Sequence, residues 1–221
     1  DMSASGLAAV WAQDNTRESI LAAMKRREVY ATTGPRIGVR FFAGFGYGDG
    51  ILQSADLYAD AVAGGVPMGG RLSGPRERSP EFIVLADRDV RGANLDRIQV
   101  VKGWLDAEGR THEKVYNVAW SGERQLDSQG RLPPVGNSVD LAAASSANSI
   151  GAASLQARWF DPEFDPGQSA FYYVRVLQIP TPRHSLYDAL ALGESAAVDH
   201  PDTIQERAYT SPIWYTTETV D

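Results

Sequence analysis

The chain has 221 residues, 43% hydrophobic and 22% charged, and its 21 basic and 28 acidic side chains give a formal net charge of −7. That length holds one large domain or one and a half smaller ones, and five Trp, nine Tyr and seven Phe argue for packed cores rather than disorder. The acidic balance disfavours a nucleic-acid partner, the lack of cysteine excludes disulfides, thiolate nucleophiles and Cys-ligated zinc, and no apolar run approaches a membrane span.

A soluble chain without cysteine fits the cytoplasm or the periplasm equally. The opening Asp1, Met2, Ser3 is not a natural start, so a processing boundary is expected there and targeting information is expected elsewhere.

In chain order, Gly6 to Ala12 is a short apolar run, read as a buried strand or a lead into a helix. Asn15 and Glu18 have the spacing of a capping box, so a helix is expected to start at Asn15. Ile20, Leu21, Ala23 and Met24 form its apolar stripe, and Lys25, Arg26 and Arg27 load the last turn, where the helix dipole favours cations. Val29 to Thr32 reads as a strand ended by Thr33, Gly34 and Pro35. Strand, helix and strand with short joints predict a βαβ unit, which belongs to a parallel sheet or an α/β barrel.

From Arg36 the pattern turns to short strands. Ile37, Val39 and Phe41 alternate with Arg36, Gly38 and Arg40, and Gly44 to Gly50 is a glycine-rich loop. Ser54 to Asp60 fits either a short helix or an irregular strand, and Gly64 to Gly70 a turn-rich connector. Glu81 to Ala86 is a strand, and Arg97 to Leu105 pairs with Lys114 to Trp120 as a hairpin across Asp106 to Arg110. Asp127 to Ala147 is mostly loop, and Ala153, Leu155, Ala157 and Trp159 alternate as a further strand.

The stretch from Ala170 to Ile179 is apolar on both faces, which predicts a central strand with structure packed on each side. Leu186 to Leu192 is a short helix stopped by Gly193, and Ser211 to Tyr215 is a closing strand. Many short strands with few helices predict a mainly β fold: an antiparallel β-sandwich or open barrel, preceded by the βαβ unit. The boundary falls near Pro35, dividing the chain into residues 1–35 and 36–221.

The chemistry-bearing residues are sparse. His112, His184 and His200 lack metal-ligand spacing, and Asp161, Glu163, Asp165, Asp87 and Asp89 read as turn carboxylates without the calcium-loop pattern. There is no Gly-x-Ser-x-Gly elbow, and the glycines from Gly44 to Gly48 lack the Lys-Ser/Thr of a phosphate loop. Asp202 or Glu206 offers acid–base chemistry, but Glu206 and Arg207 more simply make structural ion pairs. Arg175, set in the most apolar strand, is expected to pair with Glu206 or with one of Asp161, Glu163 and Asp165.

Segments along almost the whole chain carry a family likeness: Ser5 to Ala12, Asn15 to Glu18, Tyr30 to Ile37, Val66 to Gly70, Ala93 to Gln99, Val101 to Trp104, Phe171 to Val176, Ile179 to Arg183, Ile204 to Ala208 and Ser211 to Tyr215. With them the chain resembles domain-of-unknown-function family 3604, a branch of the PHP (polymerase and histidinol phosphatase) superfamily of metal-dependent phosphoesterase-like proteins.

The resemblance covers the family's C-terminal third. It implies an N-terminal PHP-like α/β barrel that binds divalent metals with motifs not among these residues, so no cofactor is expected in this chain itself. Residues 1–35 resemble the last βαβ turn of that barrel, and residues 36–221 its β-rich accessory region. By that likeness Thr32, Thr33, Gly34 and Arg36 lie nearest the barrel's site, with Arg36 available to an anionic substrate.

The implied function is that of an accessory region of a PHP-like hydrolase, inactive alone, whose partner is the barrel. A homo-oligomer that covers Ile20 and Met24 is a second way to bury the helix. The competing expectation is a ligand- or carbohydrate-binding β-sandwich module using Phe45, Tyr47, Trp104 and Trp120 as stacking platforms.

Overall fold

The computed structural model describes residues 5–73, 78–195 and 199–217. The opening Asp1, Met2 and Ser3 lies outside the described residues.

The chain begins with strand β1 (Leu7–Val10), helix α1 (Arg17–Arg26) and strand β2 (Val29–Thr32). The helix cap is Thr16 rather than Asn15: Thr16 is extended and its hydroxyl accepts from Ser19 N at 3.2 Å. The helix ends at Arg27, which is left-handed at φ 61°. The two strands pair antiparallel, Leu7 opposite Thr32 and Val10 opposite Val29, which corrects the expected parallel βαβ crossover. Trp11 N also donates to Glu28 O at 2.9 Å, so the ladder runs up to the base of α1. The helix is therefore an insertion in a hairpin, lying between the two strands that pair.

The remaining elements are β3 (Gly38–Gly44), α2 (Leu57–Ala63), β4 (Gly65–Pro67), β5 (Arg71–Leu72), β6 (Glu81–Asp87), β7 (Leu95–Leu105), β8 (Thr111–Trp120), β9 (Val139–Asp140), β10 (Ser145–Ser146), β11 (Ser154–Phe160), β12 (Ala170–Gln178), β13 (Thr181–Pro182), α3 (His184–Leu192), β14 (Thr203–Ile204), β15 (Arg207–Thr210) and β16 (Ile213–Tyr215). The ambiguous stretch after Ser54 resolves as helix α2, with Asp56 as its cap. The hairpin across Asp106 to Arg110 is present as β7 and β8, and α3 stops at Gly193, left-handed at φ 67°.

The fold is mainly β, built of antiparallel sheets that do not close into a barrel. The larger sheet has eight strands. β12 lies at its centre, with β7 on one side and β15 and β16 end to end on the other. β8 extends it past β7, β2 and β1 extend it past β15, and short β5 joins β16 in parallel. The smaller sheet runs β11, β6, β3, β4.

The main core lies between the sheets. Val39, Phe41, Phe82 and Val84 come from the smaller sheet, and Ile98, Val100, Tyr172, Val174, Val176 and Ile213 from the larger. Phe82 ties them together, its ring centroid 4.5 Å from Tyr172 and 5.8 Å from Phe41. Each such side chain contributes roughly 1.5–3 kcal/mol by leaving water. A second small core of Phe42, Tyr47, Ile51, Ala61 and Ile83 covers the far face of the smaller sheet, beneath α2.

β12 departs from the expectation in one respect. It is central, but its burial alternates strictly: Tyr172, Val174 and Val176 are buried, while Phe171, Tyr173, Arg175 and Leu177 are half-buried. Within these residues only the inner face is covered by a second layer. The outer aromatics shield one another instead, Phe171 packing on Trp214 with ring centroids 5.2 Å apart.

Candidate functional site

The junction after β2 collects several of the singled-out residues. Thr33 N donates to Arg207 O at 3.0 Å, and Arg207 N donates to Thr33 Oγ1 at 2.9 Å. The Thr33 hydroxyl in turn donates to the Glu206 carboxylate. Thr32 is buried in the sheet, opposite Ala208. Arg36 turns away: it is exposed, and its backbone N–H donates to Asp89 Oδ2 at 2.7 Å. That hydrogen bond and a second from Arg91 N hold the Asp89 carboxyl below its ordinary pKa.

Among the described residues, Arg175, Glu206 and Arg207 make other contacts than the expected ion pairs. Arg175 Nε donates to Gln99 Oε1 at 2.8 Å, and the Gln99 amide passes the chain to Asn117 Oδ1 at 2.9 Å. Strand parity explains the difference. Arg175 is on the outer face opposite Gln99 and Tyr209, where solvent reaches it, while Asp161 is committed to the inner face. Arg207 donates to Gln205 O at 3.2 Å and to the Tyr209 hydroxyl at 3.3 Å, and Glu206 serves Thr33.

The acidic trio splits three ways. Asp161 is 3% exposed; its Oδ2 accepts from Lys102 Nζ at 2.6 Å and from the Tyr172 hydroxyl at 2.7 Å. The Glu163 carboxylate lies outside that cluster, accepting from Lys114 Nζ and, at 3.2 Å, from the Tyr116 hydroxyl. Asp165 closes a turn onto Gly167 N. Burial, reinforced by the neighbouring Asp161 charge, pushes the Tyr172 phenol far above its ordinary pKa, so it stays a donor. Lys102 escaped the sequence reading. Its signal was parity, since it shares the inward face with Ile98, Val100 and Trp104, where a lysine requires a buried partner.

Among the described residues, no three His, Asp or Glu side chains gather to hold a metal ion. His112 lies beside Asp106 across the β7–β8 turn, Nε2 to Oδ2 2.8 Å, and His184 faces Asp188 at 3.7 Å. No helix is long and apolar enough to cross a membrane among the described residues.

The four aromatics expected as stacking platforms separate. Tyr47 is buried, its hydroxyl donating to Ala61 O at 2.8 Å, and Phe45 packs against the main core. Trp120 is tied through Nε1 to Arg124 O at 2.8 Å. Trp104 stacks on His112 at 5.3 Å and, with Phe171, Trp214 and Tyr215, lines an open groove of about 540 Å3 at the start of β12.

These features define a mainly antiparallel β protein in which two large sheets enclose the core and a helix-bearing hairpin forms one edge. The chain belongs to the family described as Protein of unknown function (DUF3604), whose model matches residues 1–217. No curated protein and no solved structure matches the chain.

Proposed function

We propose that this chain is the accessory β-region of a PHP-like metal-dependent hydrolase, non-catalytic by itself and docked on the barrel that carries the metals. One observation carries the reading. On α1 only Ala23 is buried, whereas Leu21 is 50% and Met24 51% exposed. An apolar helix stripe left open by its own chain is a face prepared for a covering element. The resemblance names that element as the barrel. Thr32, Thr33 and Arg36 then lie at the junction of the two parts, and any divalent metal belongs to the barrel.

The test compares two settings. In the 221-residue chain, Leu21→Asp with Met24→Asp leaves the melting temperature unchanged; in a protein where the barrel precedes it, the same pair lowers Tm by several degrees. Equal effects in both settings would remove the docking role. Hydrolysis of para-nitrophenyl phosphate by the 221-residue chain with Mn2+ or Zn2+ would overturn the non-catalytic assignment.

A further inference from the structure

One row of side chains crosses four strands on the outer face of the larger sheet. Glu113 on β8 is opposite Gly103 on β7, Gly103 is opposite Phe171 on β12, and Phe171 is opposite Trp214 on β16. Register partners share a face, so the row reads acid, gap, ring, ring. Phe171 fills the gap: a Cβ at Gly103 would fall 2.2 Å from its ring, which therefore reaches over β7 toward Glu113. The Phe171 and Trp214 rings are tilted by 48°, with centroids 5.2 Å apart, and form a notch rather than a flat platform. Trp214 is 42% and Leu105 55% exposed. All of them line the open groove of about 540 Å3 at the start of β12, and ligand pockets span about 300–1,000 Å3.

The charge of this groove is one-sided. Neither lysine nor arginine lines it. The cations of the neighbouring strands and turn are engaged elsewhere: Lys114 with Glu163, Lys102 with Asp161, and Arg110 with Asp106 and Glu108. His112, in the lining, is turned to Asp106. Arg71, the register partner of Trp214, lies on β5 beyond it and outside the lining. Glu113 is thus an exposed carboxylate with no ion-pair partner among the described residues. Its charge is felt on this face: the Tyr173 phenol is held above its ordinary pKa first by burial and then by Glu113.

We propose that this groove binds a small organic cation, an alkylated ammonium head carried on an apolar body. The head sits in the notch of Phe171 and Trp214, where the ring quadrupoles favour positive charge, with the Glu113 carboxylate beside it. The body lies against Leu105. An anion would meet Glu113 unopposed, and a neutral ligand would cover that carboxylate without offering it a counter-charge, which selects against both. A compact head also suits a notch better than the flat face of a sugar or a nucleobase does. The net charge of −7 draws a cation in from a distance. The assignment is independent of the accessory-region reading, since none of its groups lies on α1.

The test is an NMR titration of the 221-residue chain, read at the Trp214 indole N–H and the Thr111 amide. The probes are hexyltrimethylammonium, choline, the uncharged tert-butyl isostere of choline, and hexanoate. The expected result is saturable shifts by hexyltrimethylammonium, with Kd roughly 0.1–1 mM, weaker binding by choline, and at least about tenfold weaker binding by the isostere. Hexanoate gives no shift. Glu113→Gln keeps the parent Tm, weakens the cation about fivefold to tenfold and removes most of the salt dependence. Trp214→Ala abolishes the Thr111 shift. The proposal is overturned if the isostere or hexanoate binds as well as the cations, if Glu113→Gln binds like the parent chain, or if no cation shifts Trp214 at about 50 mM.

Discussion

Lys102 Nζ lies 2.6 Å from Asp161 Oδ2, with the two side chains 4% and 0% exposed. The remaining polar groups around them are met. Lys102 also donates to Glu163 O at 2.8 Å, and Asp161 Oδ1 accepts from Glu163 N at 2.9 Å. The pair anchors the segment leading into β12 to the inner face of β7. Removing one partner strands a buried charge, so Lys102→Met and Asp161→Asn are each expected to cost about 3–5 kcal/mol. The combined Lys102→Met/Asp161→Asn change recovers much of that loss. Urea midpoints of the four proteins measure it, and single losses that simply add in the double would refute the coupling.

Phe171 lies across Gly103 on the outer face of the large sheet. The two are register partners, and a Cβ at position 103 would fall 2.2 Å from the Phe171 ring. Gly103→Ala is expected to destabilise by about 1–3 kcal/mol through overpacking. The same change in a Phe171→Ala background costs less, because the obstructing ring is gone. Thermal melts of the cycle give the comparison, and an equal cost in both backgrounds would place the strain elsewhere.

Asp106 makes a pH-dependent contribution at the β7–β8 turn. Its carboxyl is held down from 3.8 to about 2, first by the His112 hydrogen bond and then by the Arg110 N–H. A folded-state value below the unfolded one means the unfolded chain binds more protons in that interval. The stabilisation is therefore complete above about pH 4 and is lost as pH falls toward 2. Asp106→Asn is expected to flatten that part of the Tm-against-pH curve and leave the neutral range almost unchanged, an effect that salt weakens because the group is exposed. An unchanged acid limb in the variant would show that other carboxylates govern it.

Arg40 is held between two rings, its Cζ 3.7 Å from the Trp11 centroid and 4.4 Å from that of Tyr58. It thus clamps the first hairpin to the smaller sheet and to α2, beside the Trp11 Nε1 bond to Val39 O at 2.9 Å. Arg40→Met is expected to cost about 1–2 kcal/mol and to alter Trp11 fluorescence. Arg40→Lys retains the charge but not the planar stack, and so recovers only part of the loss. Full recovery by lysine would mean that charge alone matters there.

Much of the fold was legible along the chain, because strand parity and turn chemistry are local. The alternation from Phe171 to Leu177, the hairpin across Asp106 to Arg110 and the stop at Gly193 each depend on neighbours a few residues away. The cap at Thr16 instead of Asn15 is a choice between two adjacent side chains, which the local backbone angles decide. The sense of pairing between β1 and β2 is not local. A strand, a helix and a strand read alike whether the chain crosses over or doubles back, and the Trp11–Glu28 contact selects the second.

The candidate sites were less legible, for the same reason. Composition and spacing alone established a cysteine-free, mainly β chain without metal-ligand motifs. Only the folded register brought Lys102 to Asp161, turned Arg175 outward to Gln99 and left Gln178 Nε2 without a partner. Those outcomes depend on which strand lies beside which. That arrangement is set by burying the apolar faces of two whole sheets against each other, and no short stretch of sequence encodes it.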